Sequence, residues 1–342
     1  MVNPSRPEVR RGEGRGFAMN RRIAFVVAVA AALTLGLVAA PRRYVVDGVS
    51  MGPGLLPGDV VATGWLPGLD RWRRPARFDR WIVTLPDGST GLKRVIGLPG
   101  ETLELLEGDL VVEGRTVLKG PRLLAEIGSD LGPAGQGDAA WSAAAAVVLD
   151  DAAFAPGEVS RLLLPVRDGG FAAEVVVSAA ATRAGEVRAR ATAGPLTVVW
   201  RLRAAGRYAV VAGRLDGHAV AAAWPIVTRD TGATLDRHCL PAAAPDSWDV
   251  VRPWPAATAA AGDERSPALA LAVTGSGEPP AVIERVRRWR DVLLRTAADG
   301  VAGWSLATDE VFLLGDFPSG SRDCRHFGPL DRPALRQRVG GR

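Results

Sequence analysis

Residues 90–117 read TGLKRVIGLPGETLELLEGDLVVEGRTV, and the parsing of this stretch decides the fold class. Short apolar-rich runs are broken at Gly97–Gly100 and at Glu107–Gly108. That spacing predicts three short strands joined by tight turns. The stretch also holds one of only two lysines in a chain with 42 basic residues. Arginine serves as the surface cation nearly everywhere else. It cannot serve where a proton must be released, because a guanidinium stays charged above about pH 12. A lysine amine starts near 10.4 and can fall by about 3–5 units when buried. On a strand Lys93 shares its face with Val95, while Arg94 points the other way and is free to pair with an acid. Lys93 is thus a candidate general base. The alternative is a solvated surface lysine. Lys119 is equally rare and receives no role.

The β signal continues to either side. Val45, Val46 and Val49 suggest an extended segment, followed by a Gly/Pro-rich turn and a strand at Val60 to Thr63. RWIVTLPDG, residues 80–88, reads as a strand ending in a turn at Pro86 to Gly88. Ser50 lies in GVSMGPG, residues 48–54. Glycines there let the backbone approach a substrate and leave amides free as oxyanion donors. An ordinary turn serine is the alternative. Residues 309–330, DEVFLLGDFPSGSRDCRHFGPL, predict a strand and then a tight loop.

Between about 120 and 300 the texture changes. RLLLPV, FAAEVVVSA, EVRARAT, LTVVWRLR, RYAVVAG and HAVAAAW follow one another, separated by turn signals such as DGG, AGP and LDG. Regular short strands with such turns predict a sandwich. Pro241 to Ser266 reads as a long loop. IERVRRWRDVLLR, residues 283–295, is ambiguous between helix and strand, and the strand is preferred.

At the N-terminus, residues 23–40 run 18 positions without a charge, preceded by six arginines and followed by Arg42 and Arg43. This predicts a membrane anchor with a cytoplasmic N-terminus. A cleavable signal peptide is the rival, from Val38 and Ala40, although Pro41 fits poorly after a cut. A buried helix of a soluble core is a further possibility. Met19 is a second candidate start. The net charge of +5 is modest, and no nucleic-acid-binding motif is present. Cys239 and Cys324 with His218, His238 and His326 give no metal-ligand spacing and no Cys–His pair, so neither metal nor cofactor is expected. His326 invites a Ser–His–Asp reading, but an ordinary loop imidazole is preferred.

Three blocks occur in order: SMGPGLLPGD; KRVIGLPGE followed by GDLVVEG; and GDFPSGSRDCR. Together with the anchor they resemble the boxes of type I signal peptidases, membrane-bound Ser/Lys endopeptidases. The resemblance covers roughly residues 20–120 and 300–330. It implies Ser50 as nucleophile and Lys93 as base, with Met51 walling the cleft and Ser321 orienting the amine. It also implies Arg94 paired with Asp316 and Asp323 with Arg325. Gly54, Phe317 and Cys324 stand where the family usually has Thr, Asn and Ser. Gly48 offers no side chain to an oxyanion, so that role falls to the Ser50 N–H and a neighbour.

The expected fold is mainly β. A basic tail (1–22) and one transmembrane helix (23–40) precede a β-rich core (44–119 and 300–332). That core is interrupted by an inserted β-sandwich-like region (120–299) of unknown ligand. The implied function is removal of signal peptides from exported preproteins after small residues, at the outer face of the bacterial plasma membrane, with membrane lipid as a partner and no nucleic acid. The alternative is an inactive membrane-anchored relative whose inserted region is a binding module. A self-cleaving repressor relative is disfavoured by the anchor and the lack of a DNA-binding helix pair.

Overall fold

The computed structural model describes residues 25–26, 29–30, 41–64, 70, 72–106, 108–133, 146–149, 168–226, 239–240, 244–254, 269–275, 281–292, 294, 296, 300 and 302–340. The chain is built mainly from strands. In order they are β1 (Arg43–Val45), β2 (Val60–Ala62), β3 (Arg80–Thr84), β4 (Thr90–Gly97), β5 (Thr102–Leu106), β6 (Asp109–Val112) and β7 (Arg115–Thr116). Helix α1 (Pro121–Ile127) follows, then β8 (Ser129–Pro133), β9 (Ala146–Leu149) and β10 (Gly169–Val177). Beyond helix α2 (Ala179–Ala184) come β11 (Val187–Ala193), β12 (Leu196–Leu202), β13 (Gly206–Leu215), β14 (His218–Pro225), β15 (Val250–Pro253), β16 (Leu269–Thr274) and β17 (Ala281–Arg290). The chain closes with β18 (Gly303–Ser305), β19 (Glu310–Leu314), helix α3 (Cys324–Phe327), β20 (Leu330–Asp331) and β21 (Leu335–Arg338).

β4 is the central strand of a five-stranded antiparallel sheet, ordered β20-β19-β4-β3-β21. The β3–β4 turn forms where Asp87 Oδ1 accepts from both the N–H and the hydroxyl of Ser89, a local bond that Asp makes readily in turns. β5, β6, β7 and β18 form a second sheet. Trp81, Val83, Val95, Leu103, Leu110, Phe312 and Leu335 from these two sheets share one apolar core. β1 and β2 pair as a separate ribbon, which Thr63 joins to Val339 after β21.

The middle of the chain makes two more antiparallel sheets, ordered β15-β14-β13-β10-β17-β8 and β12-β11-β16-β9. Phe171, Val175, Val210 and Ile283 of the first pack against Ala189, Leu196 and Leu271 of the second. β10 is buried on both faces: Phe171, Ala173 and Val175 face the other sheet, while on the opposite face Ala172 packs with Leu124 and Trp289 and buried Glu174 pairs with Arg207. β11 buries alternate residues only, as a strand with one solvated face does.

The structure differs from expectation in local detail. A fourth short strand, β7, follows the three read from residues 90–117. β15 lies inside the segment read as a long loop. Residues 283–290 are strand, as preferred, within β17. RLLLPV and most of residues 23–40 lie outside the described residues, although Phe25, Val26, Val29 and Ala30 are helical. Among the described residues no helix is long and apolar enough to cross a membrane.

Candidate active site

Lys93 sits mid-strand on β4, opposite Trp81 of β3, and is 4% exposed. Its amine donates to Ser321 Oγ at 2.9 Å. Among the described residues no carboxylate lies within ion-pair distance of it. Burial pushes the amine below its ordinary range, and Arg325 adds to this; Asp323, Cys324 and Asp316 pull the other way without prevailing.

Arg94, the next residue, faces the opposite side. Its Nε donates to Asp316 Oδ1 at 2.7 Å and an Nη atom to Oδ2 at 2.6 Å, a bidentate pair with both side chains buried. It also donates to Phe78 O at 2.8 Å and to Glu126 Oε2 at 3.2 Å. Asp316 therefore ties the loop after β19 to the strand that carries Lys93.

That loop reaches Ser50. Ser50, half-buried, accepts the Phe317 N–H at its carbonyl at 3.0 Å. A Cβ on Gly315 would stand 2.4 Å from Ser50 O and 2.3 Å from Ser321 Oγ, so only glycine lets these two serines close on one point of the chain. The loop is pinned from within by Asp323, which is wholly buried. It accepts from Gly315 N–H at 3.0 Å and from Arg325 Nε at 2.7 Å. Burial alone would raise the Asp323 carboxyl, yet bonds from Arg325, Gly315 and Ser321 hold it below the usual carboxylate range. Arg325 also donates to Pro318 O at 2.8 Å.

The structure thus brings Lys93, Ser321, Asp323 and Arg325 together on one side of β4 and Arg94 with Asp316 on the other. It places the main chain of Ser50 against the same loop. The amine is hydrogen-bonded to Ser321 and not to Ser50. Met51 is 1% exposed and packs with Val46, Leu55, Val61 and Ile82, beneath the Ser50 loop and not on an open wall.

The departures from the family pattern have local reasons. Phe317 lies over the loop: a Cβ on Gly320 would stand 2.4 Å from its Cδ1 and 3.1 Å from Val49 Cγ2. Cys324 is buried, accepts the Leu313 N–H at 3.2 Å, and has its thiol pushed up to about 12 by burial. It packs like a small serine substitute and is not a thiolate; Cys239 is also free. His326 is not in a loop but lies within α3, where its exposed imidazole Nδ1 accepts the Asp323 N–H at 3.3 Å and caps the helix start. A Cβ on Gly54 would fall 2.2 Å from Glu126 O, so the missing side chain makes room for the end of α1.

Two groups went unread in the sequence. Glu126 reaches Arg94 from α1, a short helix carrying no sequence signal of function. Lys119 is 2% exposed and binds Asp216 and Asp291, with 2.8 Å to Asp291 Oδ2. Its rarity was the available signal, the same one that singled out Lys93. Asp109 and Asp168 complete a group of four carboxylates whose oxygens lie within 4.8 Å of one another. Such a group could face a cation, and here it faces the Lys119 ammonium.

Residues 18–147 match the family described as signal peptidase, peptidase S26. Signal peptidase I V of Bacillus subtilis (strain 168) is 38% identical over 74 residues, 22% of this chain and 43% of that protein. The chain therefore matches less than half the length of that relative. The family match spans the first two of the three ordered boxes and not the third, at residues 315–325: through residues 18–147 the chain is similar to the signal peptidase, peptidase S26 family.

Proposed function

We propose that the chain is a signal peptidase, a serine endopeptidase in which Ser50 attacks and Lys93 removes its proton. The observation that carries this reading is the state of the Lys93 amine: buried, hydrogen-bonded to a hydroxyl, and free of any carboxylate ion pair among the described residues. Desolvation without a paired carboxylate lowers the amine below its ordinary range and favours the neutral form that can take a proton. Neutral Lys93 takes the proton of Ser50 Oγ as the oxygen attacks the scissile carbonyl. The ammonium then protonates the departing amine, leaving an acyl ester on Ser50. Water, deprotonated by Lys93, releases the acid. Ser321 orients the amine throughout, and the Ser50 N–H stabilises the oxyanion. The Ser50 hydroxyl turns to Lys93 as substrate binds, since catalytic hydrogen bonds tighten on forming the complex.

Substrates are preproteins cut after small residues. Residues 23–40 anchor the chain in the plasma membrane lipid, with the N-terminus cytoplasmic and the catalytic part outside. The region from 120 to 299 is an inserted β domain. The test is cleavage of a model preprotein by the purified chain, compared with Ser50→Ala and Lys93→Met. Cleavage by the parent and none by either variant is expected. Retained cleavage in a variant would falsify the Ser/Lys assignment, and a parent that cuts nothing would leave the inactive relative.

A further inference from the structure

The second residue to hold Arg94 lies outside the three boxes. Glu126 is in the last turn of α1, and its Oε2 stands 3.2 Å from the same Arg94 nitrogen that lies 2.6 Å from Asp316 Oδ2. Arg80, opposite Arg94 in the β3–β4 register, has its Nε 4.0 Å from Glu126 Oε2. Two arginines and two carboxylates thus alternate behind the strand that carries Lys93. The Glu126 carbonyl lies where any side chain at position 54 would strike it. Helix α1 therefore meets the Ser50 segment through its backbone and the Lys93 strand through its side chain.

The other face of α1 belongs to the middle of the chain. Leu124 is wholly buried against Ala172, Leu215, Val220 and Trp289. Its carbonyl accepts the Cys239 thiol at 3.2 Å, and Arg122 N–H donates to Pro245 O at 3.0 Å. Just ahead of the helix, Lys119 is locked to Asp216 and Asp291 at two strand ends. The position of Glu126 is consequently set by residues 119–291, not by the boxes.

We propose that Glu126 is a positioning residue for the Ser50–Lys93 site, holding Arg94 against Asp316 so that the region α1 leads into fixes the geometry of the nucleophile loop. The mechanical path is short. Arg94 and Lys93 are adjacent, and Asp316 precedes the residue whose N–H holds Ser50 O. This rests on the peptidase reading above. A loop misplaced by about 1 Å can lose about 100-fold in rate while still binding substrate.

The test compares the full chain with Glu126→Gln and Gly54→Ala in preprotein cleavage, with active sites counted by an acylating probe on Ser50. Glu126→Gln is expected to lower kcat per active site by about 10–100-fold with KM changed by no more than about twofold. Gly54→Ala, whose Cβ would push on the Glu126 backbone carbonyl and so displace the same residue, should act in the same direction, and the two losses should not add. A role in folding alone would lower the melting temperature and the count of active sites while leaving kcat per site unchanged, and that result overturns the proposal. Should Gly54→Ala not fold, Glu126→Gln decides alone, because its side chain is 30% exposed and its carboxylate is replaced by an isosteric amide. A parent that cleaves beside an equally fast Glu126→Gln sinks this inference and spares the peptidase reading. A parent that cleaves nothing sinks both.

Discussion

The two lysines of this chain are both buried, and they are opposites. Lys119 lies between Asp216 and Asp291, with Asp109 and Asp168 behind them. Those charges overcome desolvation and hold its amine above the ordinary range. Lys93 faces a serine hydroxyl, and desolvation prevails. Burial alone therefore does not make a base. What decides is whether a carboxylate pairs directly with the amine: Asp216 and Asp291 do so with Lys119, while Asp323 near Lys93 is bound by Arg325. One lysine serves structure because its charge is balanced. The other suits chemistry because its charge is not.

The largest effect that could break this contrast is on activity. Lys93→Met and Ser50→Ala should each lower cleavage by at least about 1,000-fold. Lys93→Met should also leave the fold no less stable at neutral pH, because it removes an amine whose charged form is penalised by burial. Linkage gives the same sign. A folded pKa below the unfolded 10.5 means that stability rises with pH across that interval, so the cost of Lys93 is greatest below it.

Lys119→Met should behave inversely. It strands two buried carboxylates and should cost about 3–5 kcal/mol in a urea titration. Equal stability losses from the two lysine variants would erase the distinction between them.

A smaller effect sharpens it. Burial and the Asp168 and Asp216 carboxylates raise Asp109 to about 7, against the pull of Lys119 and Arg214. The folded state then holds this proton more tightly than the unfolded chain, so the stability it contributes is lost as pH rises from about 4 to about 7. Asp291 is raised for the same reasons, with Lys119 opposing. Asp109→Asn should flatten part of that slope in urea midpoints measured across the interval. An unchanged slope would remove Asp109 from the cluster's electrostatics.

The legibility of these two sites in the sequence was unequal for a physical reason. Lys93, Arg94, Asp316, Ser321, Asp323 and Arg325 lie in two compact blocks, and strand alternation alone puts Lys93 and Arg94 on opposite faces. The partners of Lys119 are scattered from position 109 to position 291, mostly at strand ends, and meet only when the sheets assemble. No local period encodes such a meeting. Helix α1 was missed because seven residues that open on Pro121 after Gly120 give too little periodicity to read. β15 was missed because Pro253 and its Ala-rich surroundings look like loop, although an edge strand tolerates proline. β10 was legible as strand because FAAEVVV ends in three β-branched valines and follows the DGG turn signal.

A chain with two lysines permits an unusually direct test. Lysine labelled with ¹³C at Cε gives two side-chain resonances, assigned by Lys93→Met, whose shifts can be followed across pH in the folded protein. Lys93 is expected to titrate below the ordinary lysine value of 10.5, and Lys119 to stay protonated above it. Two resonances titrating together near 10.5 would contradict the claim that a buried amine without a paired carboxylate is the base of this site.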